Sequence, residues 1–148
     1  MSFDWELYVQ LSGELISYQR TPTLQEAYLR SAISRSYYGV FCIARNLLIS
    51  KGATIPRTDT HKFIRTKYQR SPHRTEKEIG DGLRRLWRER KDADYEDRAT
   101  VDIKRARTAH QLAIRVLDRL TNSNRKTHLQ GIFKVCGERP QSTAVPVL

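Results

Sequence analysis

The sequence predicts an all-α fold, an up-and-down bundle of about five helices. Three observations lead there. Apolar residues recur at three- and four-residue spacing through most of the first 120 positions. Ser/Thr-x-x-Glu patterns precede two of those stretches. Only seven Gly and five Pro interrupt 148 residues, too few for a chain of many short strands and turns.

Ser2 or Asp4 is placed to cap a first helix, in which Trp5, Tyr8, Leu11, Leu15 and Ile16 recur at helical spacing. Thr21-Pro22-Thr23 ends it. Thr23 and Glu26 have the spacing of a capping box, whose side chains cover the free amide groups of a helix start. They open a long second helix to about Ser50, with Gly52 as its stop and a stripe of Ile33, Tyr37, Val40, Phe41, Ala44 and Leu48. Gly39 within it suggests close approach of another helix. The stretch from Gly52 to Asp59, with Pro56, reads as a loop, and a short third helix runs from His61 to Tyr68 until Ser71-Pro72. Thr75 and Glu78 repeat the capping box for a fourth helix carrying Ile79, Leu83, Leu86 and Trp87, despite Gly80 and Gly82, each costing about 1 kcal/mol relative to Ala. Asp97 or Thr100 starts a fifth, with Val101, Ala106, Ala109, Ala113, Val116 and Leu120 as its stripe. Periodicity fades from Asn122, where Ile132, Phe133 and Val135 stand isolated and Pro140 and Pro146 follow. Residues 1–121 are therefore read as the bundle and 122–148 as a basic, poorly ordered tail.

No apolar run approaches the roughly 20 residues of a membrane span. Asp4 and Glu6 stand where a secretory leader would carry basic and then apolar residues. Cys42 and Cys136 have neither disulfide-framework nor zinc spacing. His61, His73, His110 and His128 likewise lack metal-ligand spacing, and no P-loop, dinucleotide or serine-nucleophile motif occurs. The expectation is an unprocessed cytoplasmic protein without membrane contact, metal or cofactor.

Charge is the stronger functional signal. Lys and Arg total 27 against 16 Asp and Glu, a formal charge of +11. Residues 1–50 and 92–121 are each neutral, whereas residues 57–91 hold twelve basic and five acidic groups. A block of that kind attracts polyanions, with binding that weakens as salt rises. An acidic protein partner satisfies the same charge, and a solvated basic face that keeps the chain soluble is the plainer alternative.

Two clusters carry the remaining chemistry. On the second helix, Ser34 and Tyr38 are four apart and share a face with Arg35 beside them, while Ile33, Tyr37 and Phe41 face the core. At the end of the fourth, Arg84, Arg88 and Lys91 form a cationic stripe, and Arg90 and Asp94 are four apart with Tyr95 following. Taken alone, the first reads first as a core helix with one buried polar contact. The second reads as an exposed helix with a weak i,i+4 pair or, if it meets the Arg35 cluster across a packed interface, as a fold-specifying network.

Together, Ser34-Arg35-x-Tyr37-Tyr38-x-x-Phe41 and Arg90-x-x-Ala93-Asp94-Tyr95 resemble the HEPN family, the higher eukaryotes and prokaryotes nucleotide-binding domain. Trp5 and Tyr8, Thr60-His61, and Leu83 and Leu86 agree with it, over roughly residues 3–120. The resemblance implies a helical bundle that commonly dimerises. Many such proteins are metal-independent ribonucleases of toxin–antitoxin, defence or RNA-processing systems, often encoded beside a small nucleotidyltransferase. Their signature is an Arg, a polar residue and, a few positions on, a His.

Arg90 matches the Arg of that signature, Lys91 replaces its polar neighbour, and Tyr95 stands where the His would be. The difference is chemical: an imidazole titrates near 6.5 and exchanges protons at neutral pH, whereas an ordinary phenol titrates near 10. On this resemblance Arg90, Asp94 and Tyr95 are the candidate catalytic residues. Arg84, Arg88, Lys91 and Arg35 are candidate nucleic-acid contacts, with Ser34 and Tyr38 in support. His61 is the histidine best placed to approach Arg90. The readings that follow are a dimer acting on RNA or nucleotide phosphates, including as a ribonuclease toxin with a cognate antitoxin, or a non-catalytic module partnering a nucleotidyltransferase or other effector. In the second, Arg35–Asp94 and Ser34–Tyr95 contacts are expected to be structural.

Overall fold

The computed structural model describes residues 2–18 and 21–135. It consists of α1 (Glu6–Ser17), a short 3-10 turn (Pro22–Leu24), α2 (Gln25–Ser50), α3 (Thr60–Gln69), α4 (Arg74–Tyr95) and α5 (Ile103–Val135), with no strand among the described residues. The all-α bundle expected from periodicity is therefore what forms. Helix α2 is its hub and touches all four others, while α3 leans mainly on α4, and α5 covers α1, α2 and α4.

The stripes of α2, α4 and α5 pack as their spacing dictates. Ile33, Tyr37, Val40 and Ala44 of α2 meet Ile79, Leu83 and Leu86 of α4 and Ala106, Ala113, Val116 and Leu120 of α5, all but inaccessible to solvent. Cys42 joins this core as a free thiol, and burial pushes its pKa up.

Helix α1 follows expectation in part: Ile16 is buried and Trp5 and Leu15 pack against the core. Its inward residues are Val9, Ser12 and Ile16, while Leu11 is 39% exposed. The crossing with α2 is too close for large side chains. Ser12 Oγ and Ser36 Oγ share a hydrogen bond of 2.6 Å inside the seam, and a β-carbon on Gly39 would lie 2.7 Å from Val9 Cγ2. Small residues mark this face, so apolarity alone misplaces it. The same logic explains Gly80, where a β-carbon would lie 2.6 Å from the Gln69 backbone nitrogen and 3.0 Å from the Arg65 carbonyl. Close packing of α3 on α4 outweighs the helix-propensity cost.

The expected capping boxes do not form. Neither Thr23 nor Thr75 caps its helix: α2 grows out of the 3-10 turn with Leu24 in the cap position, and His73 precedes α4. Glu78 turns outward instead, to Arg74 and Arg119. Asp4 does accept the Glu6 amide at 3.0 Å. At α5, Asp102 rather than Asp97 or Thr100 covers the helix start, accepting the Arg105 amide at 2.7 Å. That helix runs through the expected boundary at 121/122 to Val135. The remainder of the expected tail, 136–148 with Cys136, Pro140 and Pro146, lies outside the described residues.

Candidate functional site

Residues one helical turn apart share a face, so Ser34 and Tyr38 on α2 confront Arg90 and Asp94 on α4 as the two helices pack. Ser34 Oγ donates to Asp94 Oδ2 at 3.2 Å. Arg90 Nη2 donates to Tyr38 Oη. Arg90 Nε lies 3.1 Å from Asp94 Oδ2 but is not directed as a hydrogen bond, so this pair is held by charge. The Arg90 side chain is only 11% exposed. Three phenol rings surround it, with Cζ 5.0 Å from the ring centre of Tyr38, 5.3 Å from Tyr95 and 5.9 Å from Tyr37. Tyr95 is 73% exposed and forms the outer lip.

Arg35 lies one residue round the helix, toward α1. Its guanidinium sits 4.8 Å from the Tyr8 ring and 5.7 Å from Tyr38 and makes no ion pair among the described residues. Two guanidiniums therefore flank Tyr38, and Asp94 pairs with that of Arg90. Cations over aromatic faces are held without losing their charge to a counter-ion. The expected Arg35–Asp94 and Ser34–Tyr95 contacts are replaced by Arg35–Tyr8 and Ser34–Asp94. Asp94 lies one turn beyond Arg90 and faces α2, whereas Tyr95, about 100° further round, turns to solvent.

Arg30 fixes the end of α4 and is a residue that spacing alone did not single out. Its guanidinium donates to the carbonyl oxygens of Asp92 at 3.3 Å, Ala93 at 3.1 Å, Glu96 at 3.0 Å and Ala99 at 2.6 Å. Carbonyls at a helix C-terminus lack intrahelical partners and carry partial negative charge. A side chain from α2 thus closes the turn that carries Asp94 and Tyr95. The sequence signal was slender: an arginine four residues before Ser34.

His61 does approach Arg90. Its ring stacks on Phe41 at 4.3 Å, and its Nδ1 is 2.6 Å from Tyr37 Oη. Burial first, then the charges of Arg90 and Arg65, lowers its pKa, while burial raises that of Tyr37. At neutral pH the pair is an uncharged imidazole bonded to a protonated phenol, facing inward.

The rest of the expected cationic stripe divides. Lys91 Nζ lies 3.7 Å over the Trp87 ring, which Arg65 also covers at 4.1 Å. Arg88 lines a different cleft, with Arg85, Glu89 and Arg105 between α4 and α5. Arg84 is exposed on the surface of α4. Among the described residues no group of His, Cys, Asp and Glu gathers to hold a metal, and no helix is long and apolar enough to cross a membrane.

The fold and site together define a small helical bundle with a tyrosine-walled arginine site. The HEPN domain family matches residues 22–124, and the chain belongs to that family. Membership supports a nucleotide- or RNA-related function in general terms, together with the family's general tendency to dimerise. No curated protein and no solved structure matches the chain.

Proposed function

We propose that the chain is a cytoplasmic homodimer that binds RNA or nucleotide phosphates at the Tyr38–Arg90 site, and that it acts as a metal-independent ribonuclease toxin with a cognate antitoxin or nucleotidyltransferase. The observation that carries this reading is the pair of guanidiniums, Arg35 and Arg90, flanking the Tyr38 ring, of which, among the described residues, only Arg90 is paired with a carboxylate, that of Asp94. Such a site holds net positive charge on preorganised donors, which suits the negative charge that builds on phosphorus during phosphodiester cleavage. In the cleavage step, Asp94 takes the proton of the RNA 2′-hydroxyl as its oxygen attacks phosphorus. Arg90 stabilises the charge on the phosphoryl oxygens, and Tyr95 gives its proton to the departing 5′-oxygen. Arg84, Arg88 and Lys91 hold flanking phosphates. The 2′,3′-cyclic phosphate and the free 5′-hydroxyl are the balanced products.

A second reading, a non-catalytic module that partners another effector, is favoured by one feature. Among the described residues the site has no imidazole among its polar groups, and His61, which approaches it, is uncharged and bonded to Tyr37. One experiment separates the two. The chain and its Arg90→Ala variant are expressed alone, and growth and total RNA are followed. The ribonuclease reading expects growth arrest and RNA breakdown with the wild type only. Arrest without RNA breakdown, or no effect from either, favours the module.

A further inference from the structure

Beside the Tyr38–Arg90 site, the loop before α3, the start of α3 and the face of α4 line an open cavity of about 620 Å³ that contains Arg57, Lys62, Arg65, His61 and Trp87, with Asp59 as its carboxylate. That volume lies within the roughly 300–1,000 Å³ of small-ligand sites. We propose that it is a second phosphate subsite, taking the phosphodiester next along an RNA strand from the one held at Arg90. The inference rests on the phosphate-binding reading of Arg90 and extends it to a strand with direction and length.

Three observations support it. Arg57, Lys62 and Arg65 make no ion pair among the described residues. They contrast with Arg30, Arg105 and Arg119, each of which donates to carbonyl or carboxylate oxygens. Next, Arg65 Nη1 is buried with no hydrogen-bond partner, while the flat face of its guanidinium lies on Trp87. Stacking fixes the plane and leaves the edge donors free, and a buried guanidinium donor without an acceptor is costly unless a ligand supplies one. Third, the cavity adjoins the first site through packed side chains. His61 lines it and is bonded to Tyr37, whose ring lies 5.9 Å from Arg90 Cζ. Planar donors in a concave, cation-rich space suit a compact tetrahedral anion better than carboxylates spread along an acidic protein surface.

The test uses the full chain carrying Trp5→Phe, which leaves Trp87 as the lone tryptophan of the two in the sequence. Its fluorescence is followed at low salt against a single-stranded trinucleotide of RNA, adenosine monophosphate and a poly-glutamate peptide. The trinucleotide is expected to change the Trp87 signal and to bind at least about tenfold more tightly than the mononucleotide, because two phosphates are held. Arg57→Ala/Lys62→Ala, two exposed positions, should remove most of that advantage, while Arg65→Ala should abolish the signal change. Arg90→Ala should weaken binding yet keep the signal. If the trinucleotide binds the Arg57→Ala/Lys62→Ala variant as tightly as the parent and loses affinity only with Arg90→Ala, this subsite is wrong and the Arg90 reading stands. Poly-glutamate matching the RNA at equal charge overturns the subsite as one for phosphate. Absence of any RNA binding overturns both.

Discussion

Arginine does two different jobs on the two sides of α4. On the side facing α5 and the α4 C-terminus, Arg30 is spent on four carbonyls, Arg105 on Glu89 and Asp92 at 2.6 Å each, and Arg119 on Glu78 at 2.6 Å. These side chains tie one helix to the next. On the side facing α2 and α3, Arg35, Arg65 and Arg90 lie on tyrosine and tryptophan rings, and among the described residues only Arg90 is paired with a carboxylate, that of Asp94. The lesson is that positive charge density alone does not locate a site. What distinguishes the second group is that its charge is held in place by ring faces and left largely uncompensated.

Breaking the frame that supports both groups should have the largest effect. Gly80→Ala drives a β-carbon into the Gln69 and Arg65 backbone, which cannot yield as a flexible side chain would. A loss of about 3 kcal/mol is expected by denaturant melting, together with loosening of Arg65 from Trp87; a variant as stable as the wild type would contradict the packing of α3. Arg30→Ala comes next. It strands partly buried carbonyls at the end of α4 and should cost about 2 kcal/mol, or about 4–8 °C in Tm. An unchanged Tm would mean that this arginine does not hold the turn.

Arg35→Ala sharpens the contrast from the other side. Losing a cation–π contact costs about 0.5–1 kcal/mol, so the fold should survive almost intact while RNA affinity falls about tenfold. A large stability loss with unaltered binding would place Arg35 with the tying arginines. The smallest effect is with pH. Burial lowers the pKa of His61 and of His110, whose Nδ1 is buried without a partner. As pH falls below about 6.5, the unfolded chain takes up protons that these folded histidines resist, so stability falls. Glu76 and Glu78 have lowered pKa values and begin to contribute to the loss only below about 4.5, so the two windows separate. Tm should be lower near pH 5.5 than near pH 7.5, and His110→Gln should reduce the difference. A flat profile would contradict the assignment.

Much of this was legible in the sequence where periodicity and i,i+4 spacing determine geometry. Ile33, Tyr37 and Phe41 face inward as their spacing requires, and the pairing of Ser34 and Tyr38 with Arg90 and Asp94 follows once α2 and α4 are neighbours. What was illegible has physical causes. The inward face of α1 is built on Ser12 and a close crossing at Gly39, where size rather than hydropathy decides. The boxes at Thr23 and Thr75 fail because nearby partners compete for the same side chains, as Arg119 does for Glu78. Arg30 acts through contacts with residues more than sixty positions away, and no local pattern reveals these. The partition of Arg84, Arg88 and Lys91 among different surfaces depends on where α3 and α5 dock.

The most direct measurement is the equilibrium affinity of a short single-stranded RNA at low salt for the wild type and for Arg35→Ala/Arg90→Ala, with helicity checked in parallel. The two-guanidinium site predicts a folded double variant that binds at least about a hundredfold more weakly. A folded double variant that binds RNA as tightly as the wild type would contradict it.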